Sequence, residues 1–163
     1  MSYLLDADVF IGAKNLHYGF EFCPAFWDWL VAANASGVVF STEKVYDELL
    51  AGDDELSDWA RGRDRKFFLP PDESILSALR EVSDWVASQN YTFSAVTIFL
   101  QSADYYIVAQ ALAAEHTVVT HEVPSASVRR IKIPDVCIGL GIKCVTPFEM
   151  LEVERVRFVL ETA

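Results

Sequence analysis

The sequence predicts a three-layer α/β/α fold with a mainly parallel central sheet, on three observations. Short apolar runs of strand type, such as Tyr3-Leu4-Leu5 and Thr117-Val118-Val119-Thr120, alternate with longer segments of helical period. The chain has 163 residues, 52% of them hydrophobic, which suffices for one domain with a real core. No repeat, low-complexity stretch or linker interrupts it, so residues 1–163 read as a single domain.

The elements follow in order. Tyr3 to Leu5 is a short buried strand, and Val9 to Asn15 a helix ending near the turn-like His17-Tyr18-Gly19. Pro24 starts a second helix through Ala35, with Phe26, Trp27, Trp29, Leu30 and Val31 on its apolar side and Gly37 as its stop. Val38-Val39-Phe40 is a second strand, after which Ser41 or Thr42 caps a helix carrying Val45, Glu48 and Leu49. Asp53 restarts a helix through Leu56 and Trp59, and Phe67-Phe68-Leu69 is extended before the break at Pro70-Pro71. Ile75, Leu76, Leu79, Val82, Trp85 and Val86 give Asp72–Ala87 a helical period, while Ser94–Leu100 fits neither state uniquely. Ser102–Ala114 is a helix, Thr117–Thr120 a strand and Pro134–Leu140 a short helix. Lys143-Cys144-Val145 is the last parallel strand, followed by a helix from Pro147 to Leu151.

Charge and cysteine content narrow the classes of function. Net charge is −11 and the isoelectric point about 4.6, the opposite of the basic footprint of most nucleic-acid binders. An acidic nuclease would need bound metal and a few cations along its groove. The candidates for those are Arg61-Gly62-Arg63-Asp64-Arg65-Lys66 and Arg129-Arg130-Ile131-Lys132. Cys23, Cys137 and Cys144 are odd in number and lack a C-x-x-C pairing, against a zinc site or a disulfide framework. No apolar run reaches the roughly eighteen residues of a membrane span, and no signal peptide is visible, so a cytoplasmic location is expected.

Four acids stand beside apolar runs: Asp6 after Tyr3-Leu4-Leu5, Glu48 on its helix, Asp104 before Tyr105-Tyr106-Ile107, and Glu122 after the late strand. Residues at strand C-termini and on the next helices converge on one edge of an α/β sheet, where ligands bind. Two unit charges about 4 Å apart repel by roughly 4 kcal/mol at an effective dielectric of 20. Such a cluster needs a cation, and oxygen ligands of that charge suit Mg²⁺ or Mn²⁺. A metal-dependent phosphodiester hydrolase is the chemistry they point to. Asp8, two residues beyond Asp6, either supports the metal or caps the following helix.

Several segments then carry a resemblance. Tyr3-Leu4-Leu5-Asp6-Ala7-Asp8-Val9-Phe10-Ile11, Phe22-Cys23-Pro24-Ala25-Phe26-Trp27-Asp28-Trp29-Leu30, Val118-Val119-Thr120-His121-Glu122 and Lys132-Ile133-Pro134-Asp135-Val136-Cys137 resemble a PIN domain. The closer likeness is to an uncharacterised PIN-like subfamily. PIN domains include many metal-dependent ribonucleases, among them the toxins of toxin–antitoxin pairs. The resemblance implies that Asp6, Glu48, Asp104 and Glu122 are the catalytic acids and that Asp6, Asp104 and Glu122 meet the metal. Thr120 and Glu122 fall where many PIN domains have a Thr-x-Asp, and Thr120 is expected at the substrate. Asp8 departs from a commonly neutral polar residue and Glu122 from an Asp, one methylene shorter. Asp135 either makes up the missing reach to the metal or caps a helix.

The implied mechanism has one ion, held mainly by Asp6 and Asp104, activating water, and a second nearer Glu122 steadying the leaving oxygen. Glu48 would orient the nucleophile or bind metal through water. RNA as substrate, a 5′-phosphate product, a homodimer and a basic antitoxin partner follow from the resemblance alone.

Weaker candidates are Lys14 and His121, each placed to reach a phosphate; His17 and His116 have no paired ligand and receive no role. Phe20, Phe22, Phe26, Trp27 and Trp29 suit core or dimer contacts better than base stacking. Two rivals stand beside the nuclease. One is a catalytically silent PIN-like binding module with its interface around Trp27. The other is a haloacid-dehalogenase-type phosphatase in which Asp6 attacks phosphorus and Asp8 is the acid. It lacks the paired acids expected after the late strand.

Overall fold

The computed structural model describes residues 1–162. Its centre is a five-stranded, wholly parallel sheet in the order β3-β2-β1-β4-β5. The strands are β1 (Tyr3–Leu5), β2 (Val39–Thr42), β3 (Phe68–Leu69), β4 (Thr117–Val119) and β5 (Cys144–Val145). The register pairs Tyr3 with Val39 on one side and with Thr117 on the other. The chain therefore builds outward from β1 in one direction and then, after β3, returns to the other side of β1. That reversal puts a switch point between β1 and β4, where a crevice opens beyond the strand C-termini.

Period-two alternation makes two cores. Tyr3, Leu5 and Val119 face one layer, with α1 (Ala7–Gly12), α2 (Pro24–Ala35), α3 (Glu43–Ala51), α4 (Glu55–Arg61) and α9 (Pro147–Val153). Leu4 and Val118 face the other, with α5 (Ile75–Ser88), α6 (Phe93–Leu100), α7 (Ala103–Ala114) and α8 (Ile133–Leu140). The first core is aromatic: Phe26 stacks on Tyr18 at 4.5 Å, and Trp27 meets Trp59 edge-on at 5.0 Å. Each fully buried Leu or Phe contributes roughly 1.5–3 kcal/mol. Trp27 is only 3% exposed, so it belongs to this core and cannot centre a partner interface, contrary to the binding-module expectation.

Local differences from the sequence reading have simple causes. Ser41 lies in β2, where its hydroxyl donates to the Leu5 carbonyl at 2.6 Å, leaving Thr42 to cap α3 by accepting from the Val45 N–H. Asp54, not Asp53, caps α4, in a reciprocal box with Ser57. The ambiguous 94–100 segment is the helix α6, started by Thr92 accepting from the Ala95 N–H. Beyond α1 the backbone widens into a π-helical turn, Ala13–His17. Among the described residues, no helix is long and apolar enough to cross a membrane.

Candidate metal-binding and catalytic cleft

The crevice at the switch point is an open cleft of about 570 Å³. Asp6, Asp8, Glu48, Asp104 and Glu122 all line it, with Arg130 as the cation among its lining residues. Asp6 follows directly from β1, whose ladder continues through its own N–H to the Val119 carbonyl at 2.9 Å. Its side chain accepts from the Ala7 N–H at 2.8 Å and so starts α1. Asp104 arrives in the first turn of α7, and Glu48 from α3 at the exposed rim.

Thr120, at the end of β4, ties two of these acids together. Its Oγ lies 2.9 Å from Asp6 Oδ2 and 3.0 Å from Asp8 Oδ2, and accepts from the Glu122 N–H at 3.1 Å. A hydroxyl has one proton, so Thr120 shares a single donor between the two carboxyls. Asp6 is the more deeply buried of the two. It is 6% exposed, and burial, followed by the charges of Asp8 and Asp104, raises its pKa well above the usual carboxylate range. The hydrogen bonds from Thr120 and Ala7 act against that rise without cancelling it. Asp8 also accepts from the His121 N–H, at 3.1 Å to each of its oxygens.

Asp104 is pushed up to about 7, chiefly by burial, then by the charges of Glu122, Glu48 and Asp8; Arg130 opposes the rise. A position in the first turn of a helix favours the ionised form by only about 0.3–1 kcal/mol, so desolvation and repulsion win. Glu48 is raised too, by desolvation. The cleft thus holds more negative charge than its own cation balances. The donors are hard oxygens, the set that Mg²⁺ and Mn²⁺ prefer. Among the described residues, no three His, Cys, Asp or Glu side chains already converge as a metal-ligand set. Mg²⁺ commonly keeps several waters and uses one or two carboxylates, so the Asp6–Asp8–Asp104 group fits it without a preformed cage.

The sequence matches the family described as Domain of unknown function (DUF4411) over residues 3–158. The chain belongs to the DUF4411 family. No curated protein and no solved structure matches it.

Within this DUF4411 chain the expected site residues divide clearly. Asp6, Glu48, Asp104, Glu122 and Asp8 come together, with His121 beside them. Asp8 lines the cleft itself rather than standing behind Asp6. Glu122 reaches the cleft, yet its Oε2 accepts from the Ile133 N–H at 2.8 Å and so anchors the start of α8. Thr120 is 1% exposed and sandwiched between carboxyls; it positions acids and is out of a substrate's reach, a correction to the expected contact. Lys14 is turned by the π-helical stretch onto Asp54, Nζ to Oδ2 at 2.7 Å, and is not among the cleft's lining residues. Asp135 is likewise apart, accepting from the Ser125 N–H at 3.1 Å. His17, given no role from sequence, does line the cleft, whereas His116 bonds Ser2 elsewhere. The π-helical turn is the one local signal for His17, since such turns recur at functional sites, but it is not visible in residue periodicity.

Proposed function

We propose that the protein is a Mg²⁺- or Mn²⁺-dependent ribonuclease of PIN-like type. The observation that supports it most is the uncompensated acid cluster at the β1/β4 switch point, with Asp6 and Asp104 both driven toward neutrality. Asp6, Asp8 and Asp104 would hold the ion, with Glu122 contributing its free oxygen. When bound, such an ion lowers the pKa of water and polarises a phosphoryl oxygen. Glu48, exposed at the rim with an elevated pKa, is placed to take a proton from the attacking water. Arg130 stands where it can meet a phosphate oxygen. Water oxygen joins phosphorus as the P–O3′ bond breaks, and the proton ends on the 3′-hydroxyl, leaving a 5′-phosphate.

The phosphatase alternative loses ground here. It requires a lysine beside the attacking aspartate, and among the described residues the cleft lining contains none. The test is Mn²⁺- and Mg²⁺-dependent cleavage of a labelled RNA panel by wild type, Asp6→Asn and Asp104→Asn, with circular dichroism as the folding control. Cleavage by the wild type that is lost in both variants supports the reading. Equal cleavage by all three identifies a contaminant and overturns it. Absence of cleavage together with no Mn²⁺ binding by calorimetry assigns the fold to a silent binding module.

A further inference from the structure

The floor of the cleft is acidic, but one wall is not. Ile11, Gly12, Leu16 and His17 line it from α1 and the π-helical turn, and His121 lines it from the loop after β4. The His17 and His121 rings lie 5.4 Å apart between centroids, tilted by 30°. Phe148, early in α9, meets His17 edge-on at 5.0 Å and His121 at 5.6 Å. These rings come from separate parts of the chain, and none is in the core; Phe148 itself is 46% exposed. A Cβ on Gly12 would stand 3.2 Å from His121 Nε2, so the His121 ring lies against α1 because position 12 has no side chain. Glycine inside a helix weakens it relative to alanine, and here its absent side chain makes room for a ring.

Electrostatics define what such a wall would serve. A polyanion usually binds through many phosphate contacts. Here the net charge is −11 and Arg130 is the cation among the cleft's lining residues. Affinity for a nucleic acid must then come from its uncharged faces. Bases stack on Phe and His rings with little regard to sequence. We propose that His17, His121 and Phe148 form a stacking platform for an unpaired base of single-stranded RNA, beside the phosphate presented to the carboxylates. The inference rests on the ribonuclease reading and names how that site holds its substrate.

The test uses the full-length protein and a short single-stranded RNA carrying 2-aminopurine. Binding is measured with Ca²⁺ in place of Mg²⁺, alongside KM and kcat with Mg²⁺. Stacking quenches 2-aminopurine on the wild type. Phe148→Leu keeps apolar bulk but has no ring face; it should lose the quench and weaken binding by about 10-fold, while Phe148→Tyr restores both. Gly12→Ala, which makes the His121 ring give by a few tenths of an ångström without touching a carboxylate, should raise KM modestly with kcat nearly unchanged. The logarithm of affinity should fall with the logarithm of salt at a slope of about −1, the mark of one or two phosphate contacts. Unchanged quench and KM in Phe148→Leu, no quench on the wild type, or a steep salt slope each overturns the platform. Unchanged KM with Asp104-dependent cleavage intact would remove the platform and leave the nuclease. Ring-dependent quench without cleavage would do the reverse.

Discussion

Two clefts of similar size open in different parts of this sheet, and their chemistry differs completely. One, of about 570 Å³, lies where β1 and β4 end; the other, of about 630 Å³, lies where β2 and β3 begin. The second is the larger, yet Asn34, Arg63 and Asp64 in it already have partners. Asn34 Nδ2 donates to the Val39 carbonyl at 2.8 Å and the Lys66 carbonyl at 2.9 Å. Arg63 lies 5.1 Å over the Trp59 ring, and Asp64 accepts from the Lys66 N–H at 2.9 Å. The first cleft instead holds acids whose charges are met by one another. Volume is a poor guide to chemistry; unmatched charge at strand C-termini is a better one.

The comparison breaks most sharply on catalysis. Asp104→Asn should lower divalent-dependent RNA cleavage by more than about 100-fold, since even residues that only support metal ligands cost 10–100-fold. Arg63→Ala, in the larger cleft, should leave the rate unchanged. Steady-state cleavage of one labelled RNA by both variants decides it; loss of activity in Arg63→Ala alone would exchange the roles of the two clefts.

Thr120→Val sharpens the same contrast within the acidic cleft. It keeps the volume and deletes the hydroxyl between Asp6 and Asp8. Without that hydrogen bond the Asp6 pKa rises further, so protons compete better with metal for its oxygens. The expected outcome is roughly 10-fold weaker Mn²⁺ binding by calorimetry, the loss growing as pH falls. Unchanged Mn²⁺ affinity would show that Asp6 and Asp8 do not act as a hydrogen-bonded pair.

This contrast was partly legible in the sequence. Strand ends are marked by local patterns, so residue order alone gathers Asp6, Glu48, Asp104 and Glu122 on one edge. What was not legible depends on partners distant in the chain. The Glu122 bond to the Ile133 N–H spans eleven residues, and Lys14 meets Asp54 forty residues on. Helical periodicity cannot show that the backbone after α1 is π-helical, so it could not send Lys14 away and bring His17 in. Segment 94–100 was ambiguous because Ala95, Val96, Ile98, Phe99 and Leu100 are apolar on nearly every face, leaving Thr92 as the clearest helix signal.

The acidic cleft should also weaken the fold, which the larger one should not. An acid whose pKa is raised on folding holds its proton more tightly in the folded state. Its contribution is complete below the unfolded value of about 4 and is lost as pH rises through the folded value. For Asp104 that value is about 7, and Asp6 shifts in the same direction. Wild-type thermal stability should therefore fall from pH 4 to pH 7. Asp104→Asn should be flatter and, at pH 8, more stable by on the order of 2 kcal/mol, allowing for partial solvent screening. Mg²⁺ should narrow that difference by stabilising the wild type. Parallel melting profiles for both proteins across this range would show that Asp104 carries no strained charge.

The smallest effect belongs to the larger cleft and tests whether its role is structural. Asn34→Ala removes both donations that tie the end of α2 to β2 and to the segment before β3. Each hydrogen bond is worth about 1 kcal/mol net, and the Lys66 carbonyl, on an exposed residue, can turn to water. The loss should be about 1–2 kcal/mol, or roughly 3–6 °C in Tm for a chain of this size. That loss should be independent of pH between 4 and 8, because Asn34 is uncharged and both of its partners are backbone carbonyls, and cleavage per folded molecule should be unchanged. A pH-dependent loss, or a fall in activity beyond the unfolded fraction, would mean that the two clefts communicate through β2, whose Ser41 hydroxyl reaches the Leu5 carbonyl just before Asp6.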